Sequence, residues 1–285
     1  MYFNKFRYQI VLVALLLLSS LLFYLSFTTN LVGKIGFDNA SIKTLFANYD
    51  GPNYMIIAKC GYRHDCIRST FSLPLPLEYY AAHLPGYPFL IKIFNLFLIG
   101  PIAMMAATVT GAIFLTLILF KFLQLFTTPK NSFWLSLIFL FFPARFFVLR
   151  NIGAPETWFL ATIIASIYFY KKDNFWLSAI FAAAAQTLKS PAIILFFAYF
   201  LVFIPKRQLK NFLPYLLVPL IALGIFYFYH LQTGDFWAYF HSGDNIHLNT
   251  LPYLVFISTK SWINTIWLED IIYIYCQLLL RTSLI

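Results

Sequence analysis

The sequence predicts an all-α polytopic membrane protein. Hydrophobic residues make up 61% of the chain and charged residues only 11%. Its apolar residues form long unbroken runs, and its Lys and Arg gather in the short links between them. A soluble domain averages about 45–50% apolar and about 25% charged. The excess is more than one buried core can absorb, so the solvent must itself be apolar, as a bilayer is. In hydrocarbon each backbone polar group must be satisfied within its own segment, which a helix does. A β-barrel would show short alternating segments instead. A net charge of +10 would suggest nucleic acid in a soluble protein. Here the basic links set topology, and no nucleic-acid partner is expected. The 34 Phe and 19 Tyr suit lipid-facing and interfacial positions and alone indicate no ligand.

The first span is the charge-free run from Tyr8 to Asn30, preceded by Lys5 and Arg7. It is too long for the apolar region of a signal peptide, and Leu25-Ser26-Phe27-Thr28 is a poor cleavage site. It reads as an uncleaved helix with its N-terminus in the cytoplasm. Residues 31–84 form the longest polar stretch and carry both signs of charge, among them Lys34, Asp38, Asp50 and Glu78. They read as an outer loop, and a loop this long without a function is uncommon. Ser41 to Ala58 has apolar residues at helical spacing and reads as helix lying on the membrane surface. Between Lys92 and Lys121 the charge-free run is broken by Gly100-Pro101. One crossing is expected there, plus a short, partly embedded helix starting near Pro88.

Further runs cover residues 132–149, 157–170, 174–188, 191–205 and 211–230. Lys121, Lys130, Lys171-Lys172 and Lys206-Arg207-Lys210 read as cytoplasmic. The links holding Arg145, Arg150 and Glu156, then Lys189, then Asp235, fall outside. A run of about 14–15 residues reaches about 22 Å, short of a hydrocarbon core of about 30 Å. The outer links must then dip below the membrane surface, where charges are tolerated when they line a protein cavity. Arg150, Glu156 and Lys189 are therefore candidates to line a cavity open to the outer face. The alternative is a thinned bilayer with snorkelling Lys and Arg. Residues 231–250 form a second outer loop, and residues 251–268 and 271–285 read as two more spans. The chain stops inside the last apolar run, just after Arg281, as a short variant or a truncated chain would. No internal repeat is visible, so residues 1–285 are read as one membrane domain. Cys60 and Cys66 share the first outer loop, and Cys276 lies in an apolar run. Three free thiols is the plain expectation, and a Cys60–Cys66 bridge on an oxidising face is the alternative.

Chemistry could reside at Asn48-Tyr49-Asp50-Gly51-Pro52-Asn53-Tyr54. A carboxylate next to Gly-Pro sits at a turn, just beyond the first helix. Partial burial would raise its pKa and suit it to take a proton from a hydroxyl. The simpler reading is that Asp50 caps a helix.

Tyr49-Asp50-Gly51-Pro52-x-Tyr54-x-x-Ile57-Ala58-x-x-Gly61-Tyr62 resembles the W-D-G/A-x-x-Y/F-x-x-I-A-x-x-G-Y signature of GT-C glycosyltransferases, with Tyr49 in place of Trp. The likeness is to the family that includes the PIG-V mannosyltransferases and their bacterial homologues. Leu84-Pro85-Gly86-Tyr87-Pro88-Phe89-Leu90-Ile91 resembles that family's F-P-L-Y-P-L-L-I. Phe142-Pro143-Ala144-x-x-Phe147 with Ala154-Pro155-Glu156-Thr157-x-Phe159-Leu160 resembles its F-P-x-S-x-F … Y-S/T-E-S-L-F-L block. Leu188-Lys189-Ser190-Pro191 stands where T-R-P is frequent, and Gly234-Asp235-Phe236-Trp237-Ala238-Tyr239-Phe240 resembles G-D-P-L-A-F-L. Five such blocks occur in the same order, over residues 48 to 240.

The resemblance implies a GT-C-like transmembrane helix bundle whose first outer loop carries surface helices and the catalytic base. It implies transfer of a hexose, with mannose the family default, from a polyprenyl-phosphate donor to a glycan, lipid or protein hydroxyl on the outer or lumenal face. That face belongs to the plasma membrane in a bacterium and to the endoplasmic reticulum in a eukaryote. Asp50 would be the base. Lys189, Arg145 and Arg150 would meet the leaving phosphate. Glu156 and Asp235 would hold hydroxyls, and Tyr49, Tyr54, His83 and Tyr87 would contact substrate, although His83 also reads as an interfacial histidine. The five His lack zinc spacing, no P-loop is present, and no paired D-x-D is clear. No cofactor is expected, although some GT-C enzymes use a divalent metal. Two other classes compete. A transporter or flippase of lipid-linked sugars would show charges along a path to both faces, and repeated halves. An inactive homologue would fit the changes at Tyr49 and Lys189.

Overall fold

The computed structural model describes residues 3–29, 31–34, 40–72 and 75–242, all within one compact unit, Met1–Gly243. The regular structure of the described residues is helical throughout. Three stretches are long and apolar enough to cross a membrane: Phe6–Thr28, Pro101–Leu123 and Leu209–Thr233. The spans expected at 251–268 and 271–285, the second loop beyond Ser242, and Cys276 lie outside the described residues.

Helix α1 (Phe3–Thr28) is followed by the single turn α2 (Leu31–Lys34), then by α3 (Ile42–Phe46), α4 (Gly51–Cys60) and α5 (His64–Thr70). A 3-10 segment, Leu77–Ala82, leads to α6 (Gly86–Phe94) and α7 (Pro101–Leu123). Gly100 at φ 51° and Pro101 at the first helical position separate these two. The short helix and the long apolar helix expected there correspond to α6 and α7. Helix α8 (Pro129–Phe141) and α9 (Ala144–Leu149) divide the apolar run over 132–149. Pro143 lacks an N–H and its ring clashes with the preceding turn, so α8 stops before it. Helices α10 (Glu156–Lys171), α11 (Phe175–Leu188) and α12 (Ile193–Phe203) follow. The Leu209–Thr233 stretch joins α13 (Leu209–Phe212), a 3-10 turn and α14 (Leu217–Thr233), and α15 (Ala238–His241) closes the described chain.

Small residues set the spacing of the bundle. Ala161 and Ala165 of α10 meet Leu115 and Ile118 of α7, and Ala179 and Ala182 of α11 are fully buried. Where both partners are apolar, close backbone approach takes the place of a hydrophobic driving force. Buried hydroxyls add specificity. Ser178 donates to the Ser166 carbonyl at 2.8 Å, Tyr215 donates to the Ser178 hydroxyl at 2.8 Å, and Ser166 and Tyr199 pair at 2.8 Å. Helix α11 has 14 residues. It reaches about 21 Å, less than a hydrocarbon core of about 30 Å.

Chain direction separates two ends. The C-termini of α1, α11 and α14 and the N-termini of α7 and α10 share one end, as contacts among Tyr24, Met104, Gly153, Glu156 and Lys189 show. Lys121, Lys171, Lys172 and the Lys206–Lys210 link belong to the opposite end. Helix α4 lies across the first end, from Met104 and Gly153 at Gly51 to Gln232 of α14 at Gly61. It is not the surface helix expected over Ser41–Ala58, because Tyr54, Ile56, Ile57, Ala58 and Cys60 are buried. Its apolar side chains contribute to two core clusters, one with α6 and α7 and one with α14.

Cys60 and Cys66 form a disulfide, so the plain expectation of free thiols fails for this pair. The cause is local. Gly61 at φ 64° turns the chain at the end of α4 and brings the two Cα atoms to 5.5 Å. Closing so short a loop stabilises the fold by about 2 kcal/mol in the chain-entropy account. Cys66→Ser should lower the midpoint of thermal unfolding, and reduction of the unaltered protein should lower it equally.

Candidate active site

The site is built around the turn before α4. Asp50 occupies the residue preceding that helix, yet its side chain caps nothing. Half of that side chain is open, and its Oδ1 lies 3.5 Å from Nε2 of His83, which is 5% exposed. Tyr49 is exposed and sits at φ 48°. That left-handed conformation costs an L-residue about 1–2 kcal/mol, and such strain gathers at functional turns. His83 ends the 3-10 segment and is held from several sides. The Tyr62 hydroxyl donates to its carbonyl at 2.6 Å. The rings of Tyr54 and Tyr79 meet its imidazole edge-on at 5.0 and 5.3 Å.

The His83 hydrogen bond holds the Asp50 carboxyl below the usual carboxylate range, helped by the charges of His83 and Lys189 and opposed by burial. The expected upward shift is therefore reversed, because a buried imidazole outweighs the desolvation of a half-open acid.

Two glycines let this turn reach the link ahead of α10. A Cβ at Gly153 would stand 2.9 Å from the Gly51 Cα and 2.3 Å from Met104 Sδ, so backbone meets backbone there. Glu156 begins α10 three residues later, and its Oε1 accepts from Lys189 Nζ at 2.6 Å. Lys189 follows the last residue of α11 in extended backbone. Both side chains are partly open, and Glu156 Oε2 is buried without a partner. Burial raises the Tyr54 pKa, and the charges of Glu156 and Asp50 raise it further. Asp50, His83 and Tyr54 meet at this end of the bundle, and the Gly51–Gly153 approach brings beside them the link that leads to Glu156 and its partner Lys189.

Other expected residues fall elsewhere or act differently. Tyr87 is fully buried. Its hydroxyl pairs with Thr108 and lies 3.2 Å from the Met104 carbonyl. It positions Tyr54, whose ring meets it at 5.0 Å, and is not open to substrate. Arg150 lines no open cavity, because its side chain is fully buried. It donates to Ser19 of α1 at 2.7 Å and lies over the rings of Phe147 and Phe141 at 4.7 and 5.6 Å. Weak hydration of guanidinium and its affinity for aromatic faces suit it to such a place. Arg145 is exposed on α9. Asp235 ties down its own loop, accepting from the Trp237 N–H at 2.8 Å and pairing with His241 at 2.6 Å. The His241 hydrogen bond lowers its pKa. That loop nonetheless belongs to the same end. The Tyr239 hydroxyl donates to Ser190 at 2.8 Å, and α15 packs against Leu77–Ala82, just ahead of His83.

Sequence reasoning missed the Asp50–His83 pair, whose members are 33 residues apart and share no motif. It also missed three basic residues of α4–α6. Lys59, Arg63 and Lys92 line a cavity of about 370 Å³, next to an apolar groove of about 530 Å³. Neither space is lined by Asp50. Among the described residues, no three His, Cys, Asp or Glu gather in metal-binding range. No family model matches the chain, and no curated protein or solved structure matches it either.

Proposed function

We propose that this protein is a membrane glycosyltransferase of GT-C type that moves a hexose from a polyprenyl-phosphate donor to an acceptor hydroxyl. The observation that carries the reading is the half-open Asp50 carboxylate, set by buried His83 and sharing one bundle end with the Glu156–Lys189 pair. Asp50 accepts the proton of the acceptor hydroxyl as its oxygen attacks the anomeric carbon. The bond from that carbon to the lipid phosphate breaks, and its electron pair leaves with the phosphate. Lys189, paired with Glu156, offers the developing charge a point cation. Glu156, whose Oε1 accepts from Lys189 Nζ, holds that cation in place. A site fed by a lipid donor belongs on the face opposite the basic end, which is cytoplasmic by the positive-inside rule.

The reading is tested with full-length protein in proteoliposomes given a polyprenyl-phosphate mannose and a membrane-lipid extract as acceptor. Transfer to extract lipids with release of polyprenyl phosphate supports it. Intact donor, in proteoliposomes whose protein is folded and bound to that donor, contradicts it.

The pH profile follows from Asp50. Its reactive form is ionised, and His83 holds its pKa below the ordinary value of about 3.9. The acid limb of kcat/KM should therefore lie below about pH 4, with the rate level from there to neutrality. A limb centred near pH 6 would mean that another group is the base.

A further inference from the structure

We propose a second, non-catalytic site, in which Lys59, Arg63 and Lys92 hold the phosphate of an anionic membrane lipid and the adjoining groove takes its hydrocarbon chain. All three side chains are exposed and line the same cavity, with Gln232 beside them and no carboxylate among the lining residues. Among the described residues no salt bridge neutralises any of the three. Lys59 lies over the Phe71 ring at 5.5 Å, and Arg63 uses only Nε, toward the Cys60 carbonyl at 3.4 Å. Arg63 also borders a neighbouring cavity that Asp65 lines, and Asp65 does not line this one.

The groove continues from the cavity and shares Pro85, Phe89 and Phe228 with it. Leu90, Phe114, Trp158, Phe181 and Ile221 make its walls almost wholly apolar. The surface around the two spaces suits a bilayer. Phe89, Leu96, Phe97 and Ile99, at the corner between α6 and α7, are 63 to 87% exposed. Cations at the rim of such a surface stand where lipid phosphates lie. A basic head joined to an apolar trough matches one ligand class, a phosphate-bearing lipid.

This site is separate from the proposed chemistry and does not rest on it. Lys59 is nine residues along α4 from Asp50, about 13 Å by helical rise. Neither lining includes Asp50, His83, Glu156 or Lys189.

The test uses full-length protein in phosphatidylcholine nanodiscs carrying a trace of diazirine-bearing phosphatidic acid, with labelled peptides mapped by mass spectrometry. Label should fall on peptides containing Phe89 and Phe228, well above that from diazirine-bearing phosphatidylcholine. Lys59→Gln, Arg63→Gln and Lys92→Gln together should lower the preference roughly ten- to hundred-fold, from the usual contribution of basic residues near an anionic surface. Gly224→Phe is an independent variant. Gly224 lines the groove, and a Cβ there meets nothing within 4 Å, so the ring enters open space and blocks the chain. It should also lower labelling, and inorganic phosphate should not displace the lipid. Equal labelling by both lipids, or a preference that survives the triple variant, overturns the proposal. So does displacement by phosphate with Gly224→Phe unaffected, which would make the cavity a site for free anions only.

Discussion

Asp50→Asn leaves the helix bundle intact and lowers sugar transfer by about 10²- to 10⁴-fold, the usual contribution of a general base. The variant should fold because Asp50 is half open and its side chain caps no helix. The amide keeps a hydrogen-bonding group beside His83 and removes only the basicity. Donor binding should persist, so kcat falls while KM holds, as it does when an interaction made in the transition state is lost. The assay is transfer in proteoliposomes, with thermal unfolding of the same sample as the control for folding. Transfer within a few-fold of the unaltered protein would remove Asp50 from the mechanism.

Gly153→Ala should damage the site with a single added methyl. The added Cβ would stand 2.3 Å from Met104 Sδ and 2.9 Å from the Gly51 Cα. The methionine can swing away, but the backbone of the Asp50 turn cannot. Overpacking of this kind costs about 1–3 kcal/mol. It also pushes the Asp50 turn away from the Glu156 link. A lowered unfolding midpoint and a loss of transfer should therefore appear together, and Met104→Ala should restore only part of either. A Gly153→Ala protein with unaltered stability and rate would show that the two segments do not touch.

Much of the bundle was legible in the sequence because helices that pack in an apolar solvent announce themselves by length and by their charged ends. The breaks at Gly100-Pro101 and after Gly234 follow from backbone chemistry alone. Helix α4 was harder to read. Its apolar residues at helical spacing fit a surface helix as well as a buried one, and only the neighbours Tyr87, Met104 and Tyr229 decide between them. The apolar run over 132–149 divides at Pro143, which hydropathy alone does not register. At the site, the Asp50 turn and the Glu156 and Lys189 links were recognisable as polar breaks in apolar sequence, whereas their pairing was not. His83 lies far from Asp50 in sequence, and its hold on the carboxyl reverses the pKa shift that burial alone would give. Arg150 shows the opposite error. A charge in a short link suggests a wet cavity, but the Arg150 guanidinium is buried against two aromatic faces, with one nitrogen on Ser19 and Nε and Nη1 without a partner among the described residues. Lys59, Arg63 and Lys92 were read only as charges of the outer loop or the edge of an apolar run, since nothing in their spacing shows that they share a cavity.

The most direct test of the account is which face of the membrane each loop occupies. Single cysteines at Asn48 and Phe236, and at Lys121 and Lys172, would be placed in a Cys276→Ser background that keeps the Cys60–Cys66 bridge. Intact cells or sealed vesicles would then be treated with a membrane-impermeant maleimide. The account predicts that positions 48 and 236 react from one face, and positions 121 and 172 only from the other. Labelling of 48 and 236 from opposite faces would contradict it.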